Sequence, residues 1–458
     1  MKTIKYIALS LFAAYSLNTA AQTAKSAYFL EGAFHNSQLN PAMNAERNYF
    51  SIPTLGNMTC GVNSNIGLSN FLYPQENGKL ATFMSGKVSA KQFLDDFPST
   101  ARIGMNVDMT VAALGFRAFG GYNTFNVTMK TQTSVGIPED IFRFVKTGLK
   151  TDPYSFAGIN MNAMSYMAFT VGHSREVIDG LRVGVNLKYL VGLAYADLLV
   201  DNLTLETGRE RWLLEAHAQA RLASLVDLSM TEDGEFNMNL EEMNANSFTP
   251  SATGFAVDLG ATYDMENIVS GLKLSASITN LGSIKWNMIK ANTGNIGIEY
   301  NGLGEIDPEN VSDIVEEKVN GMMEKLEEQM TFTIEDRIEE KTSLGATMYL
   351  GAEYEIPCYR KLSLGVLYGQ RFDKYTGWYD VRGYLNLSPL KWLEASANVS
   401  RSTFGTTMGW MFNFHPKLLS FFIGSDYMIT RVNPQYIPVN EVNSNVTLGI
   451  NIPFGKRR

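Results

Sequence analysis

The side chains through which this chain could do chemistry are few and scattered. Its four histidines, His35, His173, His217 and His415, form no metal-binding pair of the His-Glu-x-x-His kind. His173 and His415 fall at predicted turns, where a surface or interfacial imidazole is expected. There is no Gly-x-Ser-x-Gly elbow, no P-loop and no Cys-x-x-Cys. A triad assembled from distant strands is the remaining enzymatic route, because triads are defined by geometry rather than chain order. Nothing in the sequence selects one, so no enzyme activity, metal or cofactor is expected. Cys60 and Cys358 would meet an oxidising compartment if exported and could pair there. Cys60 falls on an apolar strand face and Cys358 in a turn, which favours two separate thiols.

The other reactive groups are single charges on the polar faces of predicted strands: Arg182, Lys188, Asp258, Lys273, Glu353 and Arg382. They are the ligand-binding candidates if those faces line a solute path. Alternatively they hold a luminal plug or fill the lumen by pairing.

The strands that would carry them alternate with period two. Leu181, Val183, Val185, Leu187 and Tyr189 alternate with Arg182, Gly184, Asn186 and Lys188. Phe255, Val257, Leu259, Ala261 and Tyr263 alternate with Ala256, Asp258, Gly260 and Thr262. Similar segments begin near Met58, Met105, Phe125, Leu272 and Leu362, and Val446–Phe454 closes the chain. Each has one apolar face and one small, polar or charged face. They run roughly 9–13 residues, the length of a tilted membrane-spanning strand. Several apolar faces carry aromatics, Tyr189, Tyr263, Tyr354 and Tyr368, as an interfacial girdle requires. A charge facing lipid at mid-depth costs about 2–4 kcal/mol, so the six charges should face inward.

Composition agrees. The chain has 458 residues, of which only 18% are charged, below the quarter or so usual for soluble domains. The formal charge of −8 argues against a nucleic-acid partner. Lys2 and Lys5 followed by the apolar run 6–17 and Thr19-Ala20-Ala21 read as a signal peptide, residues 1–21. Its removal takes the basic count from 38 to 36 against 46 acidic residues, a mature charge of −10. No later apolar stretch reaches the ~18 residues of a transmembrane helix.

The expected fold is all-β, a transmembrane antiparallel barrel of about 14–16 strands. Residues 22–55 form an N-terminal plug-like segment and 56–458 the barrel. Tight turns at Arg117–Gly121, Glu206–Arg211, Asp264–Gly271, Ile356–Arg360, Ser388–Leu390 and His415–Lys417 are assigned to the periplasmic end. The long connections 71–103, 134–159, 222–252, 283–342 and 431–443 are assigned outside. Within them, the acidic stretch 305–340 repeats Val311, Ile314, Val315, Val319, Met322 and Leu326 at helical spacing and predicts an external helix. Val88–Phe97 predicts a shorter one. A soluble exported sandwich is the alternative if the apolar faces bury against each other.

Several short runs carry a resemblance. Gln38-Leu39-Asn40-Pro41-Ala42, Ser51-Ile52-Pro53, Gly67-Leu68-Ser69-Asn70-Phe71 and Pro434-Gln435-Tyr436-Ile437-Pro438 resemble an uncharacterised family of exported Bacteroidota proteins, a domain of unknown function. Asn40-Pro41-Ala42 and Asn280-Leu281-Gly282 are also similar to signatures of FadL-like barrels and of related PorV-type barrels. The resemblance implies an outer-membrane barrel with its N-terminal segment in the lumen and uptake of small hydrophobic molecules. The PorV-type relatives imply the rival: a non-transporting assembly or secretion-shuttle barrel that binds protein partners through external loops. The expected surroundings are outer-membrane lipid and lipopolysaccharide.

Overall fold

The computed structural model describes residues 24–75, 79–95, 97–148, 153–208, 210–224, 228–230, 236–238, 252–301, 319–322, 324–326, 328–374, 376–428 and 443–456. The signal peptide and residues 305–318 of the acidic stretch lie outside them.

Fourteen antiparallel strands close into one barrel. In chain order they are β1 (Asn48–Ser51, resuming at Met58–Ser64), β2 (Thr100–Ala118), β3 (Gly121–Pro138), β4 (Ile159–Ile178), β5 (Leu181–Thr207), β6 (Arg211–Ser224, resuming at Ala252–Asp264) and β7 (Leu272–Asn292). There follow β8 (Thr333–Ser343, then Ala346–Glu355), β9 (Leu362–Phe372), β10 (Trp378–Leu390), β11 (Leu393–Ser402), β12 (Gly405–Phe414), β13 (Ser420–Met428) and β14 (Ser444–Phe454). Each strand pairs with the next. β14 returns to β1, with Asn48 opposite Phe454 and Met58 opposite Leu448, so no edge is left to aggregate.

Alternation sorts the side chains as the physics of a bilayer demands. On β4 to β6, Val171, Leu187 and Phe255 point outward and are 60%, 59% and 72% exposed. Their neighbours Asn186 and Asp258 point inward and are buried. The same outward apolar face continues through Val366, Leu385, Val399 and Phe412. This is the apolar band and polar interior of a membrane-spanning barrel.

The two ends differ. One carries the turns 119–120, 179–180, 265–271, 356–361, 391–392 and 415–419, the short connections of a periplasmic rim. The other carries the long connections. The Glu206–Arg211 turn corrects the sequence expectation: β5 has 27 residues, roughly 90 Å of chain at about 3.3 Å per residue, far more than a bilayer needs. It therefore carries its tight turn to the long-loop end.

The acidic stretch is the second correction. Among the described residues of this stretch, helix is found at 319–322, 324–326 and 328–329, where Met322 and Leu326 pack on Trp212, Leu214, Ile296 and Ile298. Thr333–Ser343 is strand. It extends the β7 ladder, and Lys285–Glu339 and Lys290–Glu335 pair across it at 2.5 and 2.6 Å. Cross-strand pairing thus ends the helical stretch before its expected boundary at residue 340. Six charged residues in those eleven positions place this segment beyond the hydrocarbon. Near the rim of the same end lie two short helices, α1 (Ala90–Leu94) and α2 (Glu139–Thr147). Ser89 caps α1 by accepting from the Gln92 N–H, as helix starts require.

Candidate functional site: the plugged lumen

Residues 24–47 run through the lumen with no regular structure beyond the 3-10 turns Lys25–Ala27 and Asn36–Gln38. Buried backbone must still be satisfied. The Asn36 amide does part of this, donating to the carbonyls of Ala27, Tyr28 and Leu30 at 2.9, 3.2 and 3.1 Å. Gly32 N–H donates to both oxygens of Glu394 at 3.1 Å.

Asn40-Pro41-Ala42 fixes the plug to the wall. Asn40 accepts from Ala42 N–H at 3.0 Å and donates to the carbonyls of Ala261 and Ala276 at 3.2 and 3.3 Å. The turn fits into gaps left by two wall glycines. A Cβ at Gly184 would collide with the Pro41 carbonyl, and one at Gly260 with the Asn40 amide oxygen.

A second anchor lies on the β10–β13 side. Asp426 accepts the backbone N–H groups of Lys25 and Ser26 at 3.0 and 2.6 Å. The Lys25 ammonium donates to Asp380 at 3.1 Å and lies 3.5 Å from the Trp378 ring centroid. Arg382 donates to Asp380 at 2.9 Å and to the Asn398 amide oxygen at 2.6 Å, with Asp426 at 3.8 Å. Two cations and two carboxylates thus balance where water is excluded, and each charge keeps a partner.

A third cluster sits at a wall bulge between β6 and β7. Asn280 there has φ +60°, the left-handed region that asparagine tolerates. Its N–H donates to Asp258 at 2.7 Å, and its side-chain oxygen accepts from Lys188 at 2.8 Å. Lys188 also pairs with Asp258 at 2.7 Å. Two residues on, a Cβ at Gly282 would strike the Phe255 carbonyl. The Asn280-Leu281-Gly282 run is thus a kink.

All six sequence candidates face the interior, but they do not form one site. Arg382 belongs to the plug anchor, and Lys188 and Asp258 to the bulge. Arg182, Lys273 and Glu353 line a cavity of about 560 Å³ at the short-turn end, with Glu31 and Glu266. Lys273 pairs there with Glu31 and Glu355 at 2.7 and 2.6 Å, and Ser363 donates to Glu353 at 2.6 Å.

Sequence reasoning missed Lys25, Asp380, Asp426 and Asn40 as anchors. Asp380 was within reach, since it shares the inward face of β10 with Arg382. His415 is a correction. It is buried rather than superficial, 3.4 Å from Glu394, because the plug covers that end of β12. His35 is buried in the plug, its Nε2 3.0 Å from the Gly56 carbonyl oxygen. His173 lies in β4, hydrogen-bonded to Asn123. Cys358 is exposed in a short turn, while Cys60 lies in β1 opposite Val107.

The side of the lumen away from the Lys25 anchor is different. Tyr166, Leu190, Tyr195, Ile284, Trp286 and Met288 form one buried apolar cluster across β4 to β8. Beside it β6 is interrupted: Leu222 pairs with Ile289, and the ladder resumes with Ala252 opposite Trp286.

A closed wall, an apolar exterior and an anchored internal segment define a plugged transmembrane β-barrel. The chain belongs to the Family of unknown function (DUF5723), whose model matches residues 41–426. None of the curated proteins compared matches it. Among solved structures it is similar to a Pseudomonas aeruginosa FadL homologue, at 9% identity over 95% of this chain and 100% of that one, TM-score 0.44. It is also similar to the Ralstonia pickettii toluene transporter TbuX, at 9% identity over 96% of each chain, TM-score 0.42. The third is the P. putida toluene transporter TodX, at 9% identity over 96% of each chain, TM-score 0.40.

Proposed function

We propose that the protein is an outer-membrane barrel for passive uptake of a small hydrophobic solute. The observation that carries this reading is the two-sidedness of the interior. The plug is fastened by charge on the β10–β13 side, whereas beyond the Lys188–Asp258 bulge, toward the long-loop end, the inner face of β4 to β8 carries an aromatic and aliphatic cluster. A channel for ions or sugars has no use for that apolar face, since polar solutes lose hydration against it. An apolar solute gains there about 25 cal/mol per Å² of surface removed from water. The solute enters from the long-loop end and follows the apolar face past Trp286, while the anchors keep the plug in place. Arg382, Lys188 and Asp258 act as holding groups. Arg182, Lys273 and Glu353 line a polar vestibule at the periplasmic rim.

The reading is tested in Gram-negative cells lacking their own fatty-acid and hydrocarbon transporters, whose lipopolysaccharide leaflet slows free entry. Expression should raise uptake of radiolabelled oleate or toluene but not of glucose, and Leu190→Asp should abolish the gain. Equal uptake of glucose, or no gain for either apolar probe, rejects it.

One observation favours the rival, an assembly or shuttle barrel. Away from the 560 Å³ vestibule, two further cavities between plug and wall hold only about 30 and 20 Å³, so the plug packs closely against the wall there. Purification with a stoichiometric protein partner bound to the long loops would support that reading.

A further inference from the structure

The periplasmic rim is asymmetric. Along consecutive strands β8 to β14 its turns expose Tyr359, Leu390, Trp392, Leu418 and Leu419. Leu418 is 85% exposed. Interleaved with them are exposed Lys361, Lys391, Lys417 and Lys456. The opposite half of the rim, turns 179–180 and 265–271, instead mixes Glu176, Asp179, Asp264 and Glu266 with Arg175, Arg182 and Lys273 and presents no run of unopposed lysines.

The basic half is one braced surface. Ser388 N–H donates to the Lys361 carbonyl at 2.7 Å, and His415 N–H to the Trp392 carbonyl at 2.8 Å. The Lys361 ammonium donates to the Pro389 carbonyl at 2.9 Å. Arg47 reaches from the plug to the carbonyls of Lys417 and Gly455 at 3.0 and 3.1 Å. These bonds tie the three turns and the end of β14 together.

The surface is also continuous with the lipid-facing wall. Trp392 packs edge-on against Phe414 at 5.2 Å, and Phe414 and Phe421 are outward wall residues. Its apolar tips therefore lie at the headgroup boundary, where aromatic rings settle. Lysines there meet whatever charge the headgroups carry.

We propose that the turns 356–361, 388–392 and 415–419 form a binding surface for anionic phospholipid headgroups of the periplasmic leaflet. The apolar tips enter the acyl boundary and the lysines pair with headgroup phosphates. This gives the barrel one lipid-selective flank. It needs the membrane reading of the wall but not the transport reading.

The test uses the full mature chain in vesicles of phosphatidylethanolamine containing a minor fraction of phosphatidylglycerol. Lipids retained after gentle extraction are counted by native mass spectrometry. The wild type should enrich phosphatidylglycerol by roughly fivefold per lysine engaged, and Lys391→Gln/Lys417→Gln should lose most of it. Lys391→Arg/Lys417→Arg should restore the enrichment, and Glu176→Gln/Asp179→Asn, on the opposite half, should leave it unchanged. Heat-modifiable gel mobility verifies that each variant is folded. No enrichment in the wild type overturns the proposal. So does an equal loss in both glutamine-bearing variants, or a periplasmic protein held by these lysines in place of lipid.

Discussion

The Lys25 ammonium meets Asp380 at 3.1 Å, across 355 residues of chain, and both side chains are at most 3% exposed. The contact joins the fourth residue of the expected mature chain to the tenth strand of the wall. It makes the plug part of the folded barrel rather than an appended tail.

Removing one partner of such a pair strands a buried charge, at about 3–5 kcal/mol. Lys25→Met should therefore lower the temperature at which the folded gel band converts to the unfolded one. In Lys25→Met/Asp380→Asn the loss should be smaller than the sum of the single losses, because the residues share one network.

Gly184 and Gly260 should tolerate no side chain. Gly184→Val should expel the Asn40-Pro41-Ala42 turn, making residues 24–47 protease-sensitive while the wall still folds. Gly383→Ala is the contrast: no atom lies within 4 Å of its Cβ position, so its stability change should stay within about 0.5 kcal/mol.

Asp258 is fully buried and holds both Lys188 and the Asn280 backbone. Asp258→Ala leaves the buried Lys188 without its carboxylate and should cost about 3–5 kcal/mol. Asn280→Gly should keep the bulge, since glycine adopts its positive φ freely, whereas Asn280→Val should break it. Thermal band shifts rank the three.

Glu266 sets an acid limit on the rim. The Gly271 N–H, the Arg360 guanidinium and the Ser270 hydroxyl all donate to it. They pull its carboxyl from the usual 4.5 to about 2, the Gly271 bond most strongly. A depressed folded pKa stabilises above the unfolded value and is lost as pH falls through the folded one. The turn 265–271 should thus loosen between about pH 4.5 and 2. Limited proteolysis at that turn reads the change, and Glu266→Gln should remove its dependence on pH in that window.

Much of this was legible in the residues. Period-two alternation located most of the wall, because lipid outside and polar filling inside leave few other patterns. It put Arg182, Lys188, Asp258, Lys273, Glu353 and Arg382 on the inner face for the same reason. What stayed hidden depends on contacts distant in sequence. Lys25 is an ordinary lysine until Asp380 and Asp426 surround it. Thr333–Ser343 reads as the tail of the acidic stretch until the β7 ladder claims it. Glu206–Arg211 resembles the other tight turns until the length of β5 carries it to the far end.

Membrane residence tests the central claim most directly: the outward face of Leu187, Phe255 and Val366 lies against lipid. Fractionated cells should hold the mature chain in the outer membrane, released only by detergent and migrating faster unheated than boiled. A chain recovered from the periplasm without detergent, with one mobility at every temperature, would contradict it.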